Sequence, residues 1–155
     1  MKILLAVDGS ECSDAAVTEI ARRPWPGGSE VRIFSAAELP VRLMASGDVL
    51  PPSVAEDLEQ AARAQAESAV AHALAIFREP AGQEMSVTTA VVVDSARDAI
   101  LDEADVWSAD LIVVGSHGYR GYKRFLLGSV SQAIATQAKC SVEIVRARRA
   151  DDDDS

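Results

Sequence analysis

Ile3-Leu4-Leu5-Ala6-Val7-Asp8-Gly9-Ser10 opens the chain with an apolar run cut off by a turn. Residues 3–7 have the length and branching of a strand, Asp8-Gly9-Ser10 turns the backbone, and residues 13–23 carry the Ala- and Glu-containing pattern of a helix. Pro24-Trp25-Pro26-Gly27-Gly28 then stops it. Strand, turn, helix, stop is a unit that recurs along the chain. Residues 30–36 predict a second strand, 54–77 a long helix rich in Ala, Glu, Gln and Arg, and 87–93 a third strand. A helix over 96–107, a strand over 111–114, a helix over 130–137 and a fifth strand over 142–145 complete the series. Near-continuous apolar strands alternating with helices call for a parallel sheet covered on both faces, because a sheet with one wet face shows cleaner in-out alternation. The expected class is α/β, a doubly wound five-stranded parallel sheet with helices on both faces.

The 155 residues suit one domain, expected over 1–147, and the length allows roughly two-thirds of the unfolded surface to be buried without a disulfide or metal. Four adjacent carboxylates, Asp151 to Asp154, repel one another and bury nothing, so residues 148–155 are expected to form a disordered acidic tail. Lys and Arg number 15 against 24 Asp and Glu, and the net charge of −9 argues against general binding to nucleic acid or anionic membranes. Any anionic ligand needs a local basic site. One segment qualifies, since residues 111–149 hold Arg120, Lys123, Arg124, Lys139, Arg146, Arg148 and Arg149 but a single acid, Glu143. Cys12 and Cys140 lie far apart in no metal-like spacing, which favours a reduced, cytoplasmic setting. The opening apolar run is too short for a signal h-region or a membrane span.

In open α/β sheets, ligands bind beyond the carboxyl ends of the strands, near the switch in strand order. The segment after the fourth strand is the most informative: Gly115-Ser-His117-Gly118-Tyr-Arg120-Gly-Tyr-Lys123-Arg124-Phe-Leu-Leu-Gly128-Ser129-Val130-Ser131. Gly115 and Gly118 suit positive φ or close backbone approach, while Gly128-Ser129 opens a helix whose free N–H groups and dipole attract phosphate. Ser129 and Ser131 add hydroxyls, and Arg120, Lys123 and Arg124 add positive charge that faces either phosphate or solvent. Residues 37–53, with three prolines and Ser46-Gly47-Asp48, read as a long loop of the kind that often serves function.

With Gly115-x2-Gly118-x9-Gly128-Ser129, the start Ile3 to Ser10, the run Ala109-Asp-Leu-Ile-Val-Val-Gly115 and the close Cys140-Ser-Val-Glu-Ile-Val145, the chain resembles the universal stress protein family over residues 2–146. Three separated matches in order are more specific than the glycine spacing alone. The resemblance implies strand order 3-2-1-4-5 and an ATP site. In it Asp8 meets the adenosine, Ala36 lines the adenine pocket, and the backbone at Val93 and Asp94 touches the base. Gly115, Gly118, Gly128, Ser129, Val130 and Ser131 hold ribose and phosphates, with His117 in the same loop. Mg²⁺ or Mn²⁺ with Asp8 as a ligand goes with the nucleotide. The family often has Gly-x-Pro after the third strand; Asp94-Ser95-Ala96 stands here, and an Asp94 side chain would narrow the adenine pocket. A homodimer through Val142, Ile144 and Val145 of the edge strand is also implied, because that apolar edge has Glu143 alone to discourage pairing.

Plainer readings stand beside these. Asp8 caps the turn as readily as it meets a ligand, and a loop histidine such as His117 is often merely solvated. His72 reads as a surface or boundary residue on the long helix, Cys12 and Cys140 as small boundary side chains, Trp25 and Trp107 as packing residues at helix ends. The Ala stripe of the long helix reads as core. A P-loop, a dinucleotide fingerprint after the first strand, receiver-type paired acids and a nucleophile elbow are missing from the sequence. No general base beyond Asp8 offers itself, so the expected role is a nucleotide-dependent regulator in the stress response with slow hydrolysis at most. The rival is an interaction module of the same fold without nucleotide.

Overall fold

Parallel strands buried on both faces need helices on both faces, and the computed structural model, which describes residues 1–39, 51–79, 85–118 and 126–147, has that arrangement. The elements run β1 (Lys2–Ala6), α1 (Glu11–Arg22), β2 (Glu30–Ala37), α2 (Pro52–Arg78), β3 (Ser86–Val93), α3 (Ala96–Trp107), β4 (Leu111–Gly115), α4 (Ser129–Gln137) and β5 (Ser141–Val145). The strands pair in the order β3-β2-β1-β4-β5, all parallel. Class and strand order are those expected.

Alternation along β1 divides the core. Ile3 and Leu5 face a layer made with Val17 and Ile20 of α1 and Val70, Ala73 and Phe77 of α2. Leu4 and Ala6 face the other side, with Ala99 and Ile100 of α3 and Ile134 of α4. Ile3, Leu4 and Leu5 are all fully buried, which is why the sequence there shows no polar alternation. Chain reversals between layers keep the carboxyl ends of all five strands on one edge of the sheet.

Element ends depart from expectation for local reasons. Helix α1 starts two residues early because Ser10, rather than a later residue, is its N-cap, with the side chain accepting from Ser13 N. Helix α2 starts at Pro52, a residue whose missing N–H costs nothing in a first turn. With β2 running through Ala37, the expected loop over 37–53 contracts, and its residues 40–50 lie outside the described residues. The expected tail, 148–155, and the cations Arg120, Lys123, Arg124, Arg148 and Arg149 lie outside them too.

Strand β5 is an edge strand, but its apolar side chains are not simply bare. Val142 and Ile144 pack on the α3–α4 layer and Val145 on the α1–α2 layer. Glu143 is engaged as well: Arg23 donates to its two carboxylate oxygens at 2.8 and 2.7 Å. What β5 leaves unpaired is a backbone edge. At the opposite edge of the strands, Trp107 lies under the Arg32 guanidinium at 4.5 Å and near Lys2 Nζ at 5.5 Å, so it packs as expected. Trp25 stacks beneath Arg23 at 5.3 Å and donates its indole N–H to Ile20 O.

Candidate functional site

Two loops meet at the carboxyl edge of the sheet. After β1, Gly9 takes φ of 79°, and Asp8 Oδ1 accepts the Ser10 N–H at 2.9 Å. That bond is the capping role left open for Asp8, and it occupies one oxygen. Ser10 Oγ donates to His117 O at 3.3 Å, tying the β1 turn to the segment after β4. There the Ser116 N–H is held by Val145 O at 2.7 Å, and Ser116 O accepts from Gly128 N at 2.8 Å and Ser131 Oγ at 3.0 Å. One carbonyl thus positions the start of α4 against the end of β4.

The glycines act through close approach and not through positive φ. Gly9 and Gly28 are the described glycines in the left-handed region, so the positive φ expected as an option at Gly115 and Gly118 is not used. A Cβ on Gly115 would stand 2.8 Å from Cys12 C and 2.9 Å from Ser13 N, backbone atoms of α1. A Cβ on Gly118 would stand 2.7 Å from Asp8 Oδ2. Gly115 therefore seats a helix, whereas Gly118 makes room for a carboxylate. Gly128 is the N-cap of α4 and brings no side chain to the cap, so the first-turn amides of Ser129, Val130 and Ser131 lack an intrahelical acceptor and a capping one. Ser131 differs from expectation: its hydroxyl proton is directed at Ser116 O and Gly128 O, both 3.0 Å away, and the residue is buried.

These residues border one cavity of about 500 Å³. At its β4 end it is lined by Gly115, His117, Gly118, Gly128, Ser129, Val130 and Ser131, with Asp8 from β1's turn at the middle. At its β2 end it is lined by Phe34, Ser35, Ala36 and Glu38, by Ala96 and Ile100 of α3, and by Ala62, Gln65, Ala66 and Ala69 of α2. Val93 and Asp94 are not among the lining residues. Asp94 Oδ1 instead accepts the Ser95 N–H at 2.7 Å, turning the carboxylate into the turn before α3, so it does not narrow the cavity as the sequence suggested.

Sequence reading missed Glu38 and the α2 wall. The small residues of α2 were legible as a buried stripe, and Ala66 and Ala69 are buried. That the same stripe leaves space for a ligand where the strands end depends on helix placement, which periodicity does not carry.

The ionisable side chains lining the cavity, among the described residues, are Asp8, Glu38 and His117. No group of three or more His, Cys, Asp or Glu capable of holding a metal occurs among the described residues. His117 Nδ1 lies 3.2 Å from Ser116 Oγ, which is itself 3.6 Å from Cys12 Sγ. Cys140 is remote from the cavity, and burial pushes its thiol pKa upward. His72 is an exposed residue of α2 whose Nε2 lies 3.1 Å from Asp14 Oδ2 of α1, a surface role as expected. No helix among the described residues is long and apolar enough to cross a membrane.

Known proteins give the arrangement a context. The chain is similar to the universal stress protein family, whose family model matches residues 1–146. A universal stress protein of Mycolicibacterium smegmatis is 33% identical over 155 residues, in a match taking in 96% of this chain and 46% of the relative. The chain thus spans about half the length of that relative. Among solved structures, universal stress protein UspA from Lactobacillus plantarum matches with a TM-score of 0.69 and 21% identity, over 94% of this chain and 97% of that one. The universal stress protein from Archaeoglobus fulgidus in complex with dAMP matches with a TM-score of 0.62 and 21% identity, again over 94% and 97%. Other matching structures hold AMP, in a protein from Arabidopsis thaliana, and cAMP.

Proposed function

The chain belongs to the universal stress protein family, and from that premise we propose that its cavity binds an adenine nucleotide, ATP included, and that occupancy regulates the protein's stress-response role. The observation that carries the reading is the meeting of Asp8, Gly118, Gly128 and Ser129 from two separate loops around one cavity at the carboxyl edge of a parallel sheet. The base lies at the β2 end, between the small side chains of α2 and α3, in contact with Ala36. Ribose lies by Asp8 and Gly118. The phosphates lie at the first turn of α4, where unpaired amides and the helix dipole favour an anion. Relatives described with dAMP, AMP and cAMP support the adenine part of this reading.

Metal is a companion of the nucleotide in this proposal. Asp8 alone makes no protein-built metal site, but Mg²⁺ or Mn²⁺ commonly takes one carboxylate together with phosphate oxygens and water. The output is occupancy; turnover is not required. The two free cysteines support a cytoplasmic location. Calorimetric titration with AMP and with ATP, each with and without Mg²⁺, tests the site. Binding is expected for the wild type, and Asp8→Ala is expected to weaken it and to remove the Mg²⁺ dependence. A fall in melting temperature with affinity preserved would confine Asp8 to its turn.

Pairing of two copies through β5 is the second part of the proposal. The unpaired backbone of Ser141–Val145 offers a two-fold partner the hydrogen bonds that the sheet leaves open at that edge. Sedimentation of the wild type at tens of micromolar is expected to give a dimer, and Ile144→Pro, which lacks a ladder donor, is expected to dissociate it. A wild type that stays monomeric would reject this interface.

A further inference from the structure

Glu38 is the charged side chain at the β2 end of the cavity among the described residues. It follows β2 directly, and its Oε1 accepts the Ala96 N–H at 2.6 Å. The carboxylate is therefore pinned at the amino end of α3, beside the slot walled by Phe34, Ala36, Ala66 and Ile100. Capping alone does not account for it. Helix α3 already has Ser95 as N-cap, its side chain accepting from Asp98 N and donating to Asp98 Oδ2 at 2.8 Å. The bond to Ala96 N is the one Glu38 makes among the described residues, and a carboxylate has a second oxygen that can only accept.

We infer that Glu38 reads the exocyclic amine of the bound base, and so selects purine nucleotides with a 6-amino group over their 6-oxo counterparts. The inference rests on the adenine-nucleotide reading above. A 6-amino group donates a hydrogen to Glu38 Oε2, a charge-assisted bond at the rim of an apolar slot. A 6-oxo group in the same place turns an acceptor toward a carboxylate, so both lose hydration with nothing in return. The wall opposite is built from Ala62 and Ala66, which supply van der Waals contact and no polar discrimination of their own. Base selectivity then falls to Glu38.

Titrating AMP and IMP, which differ at the six position, into wild type, Glu38→Ala and Glu38→Gln tests this. Wild type is expected to favour AMP by roughly ten- to hundredfold in Kd, the range of one charge-assisted hydrogen bond. Glu38→Ala is expected to weaken AMP and leave IMP unchanged, bringing the ratio close to one. Glu38→Gln, which can accept from an amine or donate to a carbonyl, is expected to bind both with a ratio close to one. Any contribution of Glu38 to the stability of α3 appears in the melting temperature of the unliganded variants and acts on both nucleotides alike, so it does not move the ratio. A wild-type ratio near one, or a ratio that survives both substitutions, overturns the role of Glu38 while leaving the nucleotide site standing. Wild type that binds neither nucleotide removes the site itself, and this inference with it.

Discussion

Gly115→Ala is expected to lower the melting temperature of the unliganded protein by several degrees. The added Cβ would stand 2.8–2.9 Å from Cys12 C, Cys12 Cβ and Ser13 N, and the backbone atoms among these have no rotamer through which to escape. Helix α1 would have to lift from β4. It is held there by Val17 and Ile20 in the core layer, by the Ser10 cap and by the bond from Ser10 Oγ to His117 O. Overpacking of a well-filled interior typically costs about 1–3 kcal/mol, and for a domain of this size each kcal/mol moves the midpoint by roughly 2–4 °C. Thermal unfolding followed by circular dichroism measures it. An unchanged midpoint would mean that α1 moves freely over the end of β4, against the fully buried positions of Val17 and Ile20.

That expectation differs from the one the sequence alone supports, and the difference shows what was legible. Gly115 and Gly118 look alike in the motif, two glycines three apart after a strand. In three dimensions one meets helix backbone and the other meets a carboxylate. The sequence has no signal to separate them, because the contact in each case comes from residues 8–13, far along the chain. Strand order and class were legible because burial on both faces writes itself into β1 as five apolar residues from Ile3 to Val7 without a polar break. Helix α3 was legible to the residue, since Ser95 caps it and the chain leaves the helical conformation at Ser108 with φ of 55°. Asp94 was misread as an obstacle because its partner is the Ser95 N–H next to it, a choice of side-chain direction that spacing does not encode. Glu38 was invisible for a related reason: it sits at the edge of a long loop, and only the pairing of β2 with its neighbours brings it to the start of α3.

Gly118→Ala is expected to have the opposite profile to Gly115→Ala, a large loss of nucleotide affinity with little change in stability. The Cβ would approach Asp8 Oδ2 to 2.7 Å, but a carboxylate oxygen is the end of a side chain and can swing away. Backbone need not move, so the fold tolerates the change. Asp8 cannot swing freely and keep its turn, however, because Oδ1 is held by the Ser10 N–H at 2.9 Å. Displacing Oδ2 therefore either re-aims it away from the cavity or breaks the turn bond. On the proposed reading Oδ2 is the oxygen left for ribose or for a phosphate-bound cation, and losing a hydrogen bond to a charged group weakens binding by about 1.5–3 kcal/mol, tenfold or more in Kd. The methyl group also occupies space at the middle of the cavity, where Gly118 and Asp8 both line it. Titration of AMP and ATP into Gly118→Ala and Asp8→Ala, with melting curves of both, resolves the contributions. If Gly118 acts by making room for Asp8, the double variant binds no more weakly than Asp8→Ala alone, since the carboxylate that the methyl would displace is already gone. Full additivity of the two losses would instead assign Gly118 a contact of its own with the nucleotide, and unchanged affinity in both single variants would remove Asp8 and Gly118 from the site.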